Sequence, residues 1–234
     1  METTWRLGLF IGEIANVPDR KFGFMLPNRR ELASETLEFV GYVLPFNPYE
    51  YVDKAKVRML LGYDNNPLVV CSVGGTSAGK SLLELCSKAY PLMKNQLPGL
   101  RMVLVCGPSL SPDSLSIPEG VEATGYVPNL YKHLAAADLA IVTGGGTITL
   151  ELTALQKPFL YFPLKQHFEQ EFDVASRCER HGAGIKMDFT KTTPETLSRV
   201  VIENIRKKVN YPPIPTDGAK TAAALINQVL AASS

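Results

Sequence analysis

Thr143–Gln170 reads TGGGTITLELTALQKPFLYFPLKQHFEQ, and its pattern is the strongest indication of the fold class. It begins at the end of an apolar run, passes through three consecutive glycines and continues as a helical pattern from Thr147. A second apolar run, Phe159–Phe162, and a polar loop follow. Parallel strands covered on both faces read as continuous apolar runs. The stretch therefore predicts a strand–helix–strand unit, with the glycine turn and the polar loop at one edge of a parallel sheet.

The same alternation runs from residue 68 to the end of the chain. The apolar runs predict strands at Leu68–Val73, Met102–Cys106, Leu139–Val142, Phe159–Phe162 and Ile185–Met187. The helical patterns between and after them lie near Ser81–Gln96, Leu130–Ala137, Thr147–Gln156, Phe168–His181, Glu195–Lys208 and Ala219–Leu230. Strict alternation predicts an α/β fold, a Rossmann-like doubly wound parallel sheet with right-handed crossovers and helices on both faces.

The first 65 residues have a different pattern. They contain strand-like runs at Leu7–Ile11 and Phe39–Leu44 and a loop rich in proline, glycine and arginine, without the elements of a complete domain. The sequence therefore predicts a lead-in segment over residues 1–65 and a ligand-binding domain over residues 66–234.

Composition excludes several classes of protein. The 234 residues include 24 basic and 23 acidic side chains, and the net charge of +1 gives no electrostatic case for nucleic-acid binding. No apolar run approaches the roughly 20 residues of a membrane helix. The four cysteines are not at metal-binding spacing; they are Cys71, Cys86, Cys106 and Cys178. Cys71 and Cys106 lie in apolar strand-like runs, which predicts buried free thiols and a reducing, cytoplasmic location.

The loop Gly74–Ser81 reads GGTSAGKS and matches the phosphate-loop pattern of nucleotide triphosphatases. Such an enzyme also needs an acidic residue at the end of a second strand to hold magnesium. Asp138 precedes its strand, and the predicted strands end in Val73, Cys106, Val142 and Phe162. Three interpretations stay open: a triphosphatase, a turn without a ligand, and a set of backbone N–H donors at the ligand-binding edge, from Gly74, Gly75 and Thr76.

The second glycine loop, Gly144–Gly146, has the same position on a later strand. Three glycines let a ligand approach the backbone, and the following helix directs its positive end there, which favours a pyrophosphate. Thr147 and Thr149 can add hydroxyl donors. Glu151 lies four residues after Thr147 on the same helix face and is a candidate acceptor for ribose hydroxyls. The alternative for Glu151 is a solvated helix residue.

Glu169 and Gln170 follow the strand Phe159–Phe162 at the start of the next predicted helix. Adjacent carboxylate and amide side chains can bracket several hydroxyl groups of a polyhydroxyl ligand. The alternative is plain helix capping by polar residues.

These motifs resemble the donor-binding domain of GT-B glycosyltransferases, the class of MurG and the UDP-glycosyltransferases. The resemblance covers about residues 68–232. It rests on SVGGTSAG, on GYVPNLYKHLAAADLAIVTGGGTITLELTALQKPFLYFPL and on HFEQ, whose order and spacing make it specific. The resemblance implies that the chain folds as one half of a GT-B architecture.

The resemblance also implies a place for each part of a nucleotide-sugar donor. The base meets the backbone of a loop at Tyr126 and Val127. The pyrophosphate lies at a turn composed of Gly144, Gly145, Gly146 and Thr147. Glu151 binds the ribose, and the sugar hydroxyls are held by Glu169 and Gln170. The phosphates or the acceptor face the first glycine loop at Gly75 and Thr76.

Two positions depart from the family pattern. Many members carry histidine where this chain has Thr143, and serine or threonine where it has Ile148. Phosphate contacts would then depend more on backbone N–H groups and on Thr147, with Thr143 still at the edge of the site.

The resemblance implies transfer of a hexosyl unit from a uridine or thymidine diphosphate donor to an acceptor hydroxyl, without a metal or other cofactor. The catalytic base is expected outside this chain, in an acceptor-binding domain or partner subunit, and residues 1–65 are interpreted as a remnant or linker of that domain. Membrane association is expected only if the acceptor is a lipid. The alternatives are a nucleotide-sugar-binding protein without catalysis and the triphosphatase.

Overall fold

The computed structural model describes residues 7–75, 79–205 and 207–232. Contacts group the chain into two compact units, Pro48–Pro212 and a smaller unit of Met1–Asn47 with Pro213–Ser234. These units place residues 48–65 with the sheet and the final helix with the N-terminal segment. The predicted boundary at residues 65 and 66 stays a prediction.

The larger unit contains a six-stranded sheet in which every neighbouring pair of strands is parallel. Its strands are β3 (Leu68–Ser72), β4 (Arg101–Val105), β5 (Val121–Thr124), β6 (Leu139–Thr143), β7 (Phe159–Phe162) and β8 (Ile185–Lys186). The order β5-β4-β3-β6-β7-β8 is the doubly wound order of dinucleotide-binding folds. The predicted fold class is therefore confirmed.

Strand β5 is the element that the apolar pattern missed. It is only four residues long, and exposed Glu122 interrupts its apolar character. Strand β5 lies at the edge of the sheet and pairs with β4 alone. It is therefore less buried than β3 and β6, in which every residue is buried, and it has fewer apolar side chains.

Helices cover the sheet of the larger unit. They are α2 (Lys54–Leu61), α3 (Lys80–Gln96), α4 (Leu130–Ala136), α5 (Gly146–Ala154), α6 (Ala175–Arg180) and α7 (Pro194–Asn204). A π-helical stretch, Glu169–Val174, leads into α6 and occupies the start of the helix predicted at Phe168–His181. All four cysteines are buried free thiols, as predicted. Over the described ranges, the helices lack the combined length and apolarity needed to cross a membrane.

The smaller unit pairs β1 (Leu9–Ile11) with β2 (Glu38–Gly41) in parallel and contains α1 (Arg29–Thr36) and α8 (Gly218–Ala232). The side chain of Asn28 caps α1 by accepting hydrogen bonds from two backbone N–H groups. The amide of Tyr42 donates to the carbonyl of Pro215 over 2.8 Å, and this contact joins the N-terminal segment to the approach to α8.

Candidate functional site

The strand order reverses between β3 and β6, and ligands of open α/β sheets bind at the carboxyl edge of this switch point. The loops after these two strands are the two predicted glycine loops. A Cβ atom added at Gly74 would lie 4.0 Å from the hydroxyl oxygen of Thr143, so the loops are adjacent. In the first of these loops Gly75 is exposed, and Thr76 lies outside the described residues.

The glycine turn after β6 presents backbone N–H groups. Gly144 donates its own N–H to the carbonyl of Phe162 over 3.0 Å. Gly145 is the N-cap of α5 and offers no side chain to cap it. The first N–H groups of a helix have no partner within the helix, so those at Gly146 and exposed Thr147 are available to an anion.

Thr149 and Arg177 support the turn from behind. The Thr149 hydroxyl is fully buried and donates to the carbonyl of Gly145 over 2.8 Å. Nη2 of Arg177 donates to the carbonyl of Gly146 over 2.6 Å and to the Thr149 hydroxyl over 2.8 Å. Thr149 therefore faces the turn's own backbone rather than an approaching ligand. Sequence reasoning missed Arg177, because an arginine in a polar helical pattern carries no distinguishing signal.

Glu169 and Gln170 come directly against the glycine turn. A Cβ atom added at Gly144 would lie 3.3 Å from Oε1 of Gln170, and one added at Gly146 would lie 2.7 Å from Oε1 of Glu169. Gln170 is buried and its Oε1 accepts the N–H of Leu164 over 3.0 Å. Because Gly144 and Gly146 have no side chains, the side chains of Gln170 and Glu169 can lie against the turn. The structure thus brings the predicted residues of the turn and of the polar loop together.

Glu151 lies one turn further along α5 with 8% of its surface exposed. Burial raises the pKa of its carboxyl group to about 7. In the parts of the chain that the structure describes, no group donates a hydrogen bond to this carboxylate. A buried carboxylate without donors is unstable, so this environment suits a ligand that brings hydroxyl groups. The solvated alternative considered for Glu151 does not match its burial.

Tyr126 and Val127 follow β5 at the same edge of the sheet. The tyrosine side chain is 68% exposed and the valine is half-buried. Three strand spacings separate β5 from β6, a lateral distance of about 14 Å. These residues therefore share the edge with the glycine turn without adjoining it.

A cavity of about 540 Å³ opens at the carboxyl ends of β6, β7 and β8. Of the predicted site residues, Thr143 lines it; Lys165, Lys186 and Asp188 line it as well and were not predicted. The volume is typical of small-molecule pockets. Gly79, Ser81 and Leu82 at the start of α3 line the cavity too, so it extends from the first glycine loop to the residues that follow β8.

Among the described residues, strands β4, β6 and β7 do not end in the metal-binding acid that a phosphate loop requires. Strands β4, β6 and β7 end in Val105, Thr143 and Phe162. Asp138 lies at the opposite edge, where Nζ of Lys54 and Nη2 of Arg58 each approach a carboxylate oxygen to 2.6 Å. Lys80, the lysine of the motif, begins α3 and pairs with Glu84 over 3.8 Å.

The doubly wound sheet and the glycine turn define a Rossmann-like domain of the GT-B type. Solved glycosyltransferases share this fold: the calicheamicin glycosyltransferase CalG4 superposes with a TM-score of 0.57 at 20% identity, over 86% of this chain and 44% of that one. MurG from Acinetobacter baumannii superposes with a TM-score of 0.55 at 15% identity, over 82% of this chain and 66% of that one.

Residues 69–229 match the model of the glycosyltransferase family 28 C-terminal domain, and the chain belongs to this family. A glycosyltransferase of Methanosarcina mazei, itself uncharacterised, is 34% identical over 90% of this chain and 58% of its own length. A Clostridium botulinum protein named as a UDP-N-acetylglucosamine transferase acting on a pyrophosphoryl-undecaprenol acceptor is 26% identical, over 65% of this chain and 41% of its own length. The chain therefore spans about half the length of these relatives.

Proposed function

We propose that this chain is the donor-binding part of a glycosyltransferase and that it binds a uridine diphosphate sugar at the carboxyl edge of β6 and β7. One observation carries the proposal: the uncapped glycine turn has Glu169 and Gln170 against it, and Glu151 one turn along the same helix. The family membership supports a transferase. The UDP-sugar donor in the name of the Clostridium botulinum relative favours uridine over thymidine.

Each part of the donor has a group of matching chemistry. The backbone N–H groups at the start of α5 suit the diphosphate and would stabilise the charge that develops on it as the bond to the sugar breaks. The Glu151 carboxylate suits two ribose hydroxyls, and the side chains of Glu169 and Gln170 suit those of the hexose. Tyr126 and Val127 are the proposed neighbours of the base.

The remaining chemistry is assigned to groups outside this site. We propose that an acceptor-binding domain or partner subunit supplies the general base that deprotonates the acceptor hydroxyl. No metal or other cofactor is needed in this proposal, because backbone N–H groups donate hydrogen bonds that stabilise the negative charge of the diphosphate. The buried free thiols favour a cytoplasmic location.

A thermal-shift panel tests the proposal against the triphosphatase alternative. We expect UDP to stabilise the chain by about 2.7 kcal/mol at a hundredfold excess over its dissociation constant. Glu151→Ala should lose this effect, while exposed Glu203→Ala on α7 should keep it. Stabilisation by ATP with magnesium but not by UDP would overturn the proposal.

The sugar contacts need a separate measurement. By calorimetry, Glu169→Ala should bind a UDP-hexose no more tightly than UDP and should leave UDP affinity itself unchanged. An equal loss for UDP and the UDP-hexose would assign Glu169 to the diphosphate instead.

A further inference from the structure

Lys157 is a buried lysine at the opposite edge of the sheet from the proposed donor site. It precedes β7, and 9% of its surface is exposed. Its backbone is held on both sides: the N–H donates to the carbonyl of Leu152 over 3.1 Å, and the carbonyl accepts the Tyr211 hydroxyl over 3.2 Å. Across residues 7–75, 79–205 and 207–232, its ammonium group has no hydrogen-bond or ion-pair partner.

The side chain lines a cavity of about 760 Å³ at this amino edge, within the larger unit. The cavity is lined by four lysines, which are Lys54, Lys157, Lys207 and Lys208. Lys207 and Lys208 are exposed at its rim, and neither forms an ion pair with a described residue. Lys54 pairs with Asp138, so the ammonium groups of Lys157, Lys207 and Lys208 remain to attract an anion into this concave site.

Asp138 is the carboxylate that lines the same cavity, and it already forms ion pairs with other residues. Its two oxygens approach Nζ of Lys54 and Nη2 of buried Arg58, each over 2.6 Å, and one also accepts the N–H of Leu68 over 2.8 Å. These hydrogen bonds hold the pKa of Asp138 below its usual value, against the effect of its burial. Asp138 therefore forms no ion pair with Lys157 and offsets its charge only in part.

The electrostatics of Lys157 agree with this geometry. Burial first, and then the charges of Lys54 and Arg58, lower the pKa of its ammonium group to about 8, while Asp138 acts in the opposite direction. At pH 7 the group is still mostly charged. A bound anion would remove part of the repulsion and raise this pKa.

We propose that this cavity binds a small phosphate-bearing anion, with Lys157 at its floor and Lys207 and Lys208 at its rim. A phosphate group offers several charged acceptor oxygens, and lysines bind it as point charges. The recessed position of Lys157 favours a free small molecule over the headgroup of a lipid that remains in a membrane. The proposed site lies at the other end of the strands from the donor edge, so this proposal does not rest on the proposed donor site.

Amide chemical-shift mapping with inorganic pyrophosphate at pH 7 tests the site and locates it. We expect shifts at Asp138, Gln156 and Lys157, around the cavity. Pyrophosphate can also mimic the donor diphosphate, and that event would move the amides of Gly144–Thr147. The two groups of signals therefore report the two proposals separately.

Lys157→Met keeps a long side chain without the charge. It should weaken pyrophosphate binding at the cavity at least about tenfold, which corresponds to about 1.4 kcal/mol, and leave any shifts at Gly144–Thr147 unchanged. Lys207→Gln should weaken binding in the same direction from the exposed rim. Lys88→Met, on the exposed face of α3, is the matched control and should change nothing.

Three results would overturn the proposal. The first is pyrophosphate shifts confined to Gly144–Thr147. The second is unchanged cavity affinity in both Lys157→Met and Lys207→Gln. The third is binding to phosphatidylglycerol vesicles, dependent on Lys157, without binding of free pyrophosphate; this would assign the site to a lipid headgroup.

Discussion

Replacing Glu151 with glutamine should stabilise the protein above pH 7 and leave it unchanged near pH 4. Burial raises the pKa of the carboxyl group from 4.5 to about 7 in the folded chain. The folded state therefore binds more protons than the unfolded state between these values, and stability falls as the pH rises through this window. The full difference is roughly 3 kcal/mol above pH 7. Glutamine resembles the protonated carboxyl group and avoids this loss.

Thermal denaturation of the wild type and Glu151→Gln at pH 4.5, 6 and 8 measures the effect. For a chain of this size, roughly 3 kcal/mol corresponds to a rise of roughly 6–12 °C in the midpoint at pH 8. Glu203→Gln is the matched control, because its carboxylate is exposed on α7 and, among the described residues, pairs with Arg199 over 3.5 Å. It should show almost no pH-dependent change.

The same variant should lose affinity for UDP while it gains stability. A residue whose removal stabilises the fold but weakens ligand binding is retained for the ligand rather than for the fold. If Glu151→Gln were no more stable than the wild type at pH 8, the carboxylate would be solvated or hydrogen-bonded in the folded chain, contrary to its burial.

The pH dependence of UDP binding and substitutions at Gly144 and Lys157 give three further tests. UDP affinity, measured by calorimetry, should rise from pH 6 to pH 8, because ribose hydroxyls donate to the ionised form of Glu151, whose pKa is about 7. Gly144→Ala should lower the free energy of unfolding by roughly 1–3 kcal/mol, since its Cβ would lie 2.9 Å from the Cα atom of Pro163; chemical denaturation measures this. Lys157→Met should be more stable than the wild type by roughly 3 kcal/mol at pH 7, because the lysine pKa is lowered from 10.5 to about 8. That advantage should shrink in thermal melts as the pH rises toward 10.5, since wild-type stability increases across this window.

The sequence predicted those parts of the site that are local in the chain. A glycine turn between an apolar strand and a helix has a fixed geometry, so Gly144–Thr147 could be read directly as a set of backbone donors. The spacing of Glu151 from that turn placed it on the same helix. The fold class followed from continuous apolar strands alternating with helices, because each pattern reflects which faces are buried.

The parts that depend on distant contacts could not be read in this way. Arg177 reaches the carbonyl of Gly146 from a helix 31 positions later, and nothing in its own neighbourhood marks it. Thr149 was predicted as a ligand donor, and the choice between that role and its contact with the carbonyl of Gly145 depends on the rotamer. The π-helical stretch Glu169–Val174 also has no periodic signal, since it inserts one wider turn into an ordinary helical pattern.

Helix α5, which carries Glu151, and the short loop after it, which carries Lys157, connect the two proposed sites. Helix α5 begins at the glycine turn, carries Glu151, and ends at Ala154, three residues before Lys157. An anion bound at Lys157 would lie near the carboxyl end of the same helix whose amino end would bind the diphosphate. If the anion changes donor affinity through this helix, linkage requires that the donor change anion affinity by the same factor. Titrating each ligand in the presence of the other measures that factor in both directions, and a factor of one would show that α5 holds the two sites independently.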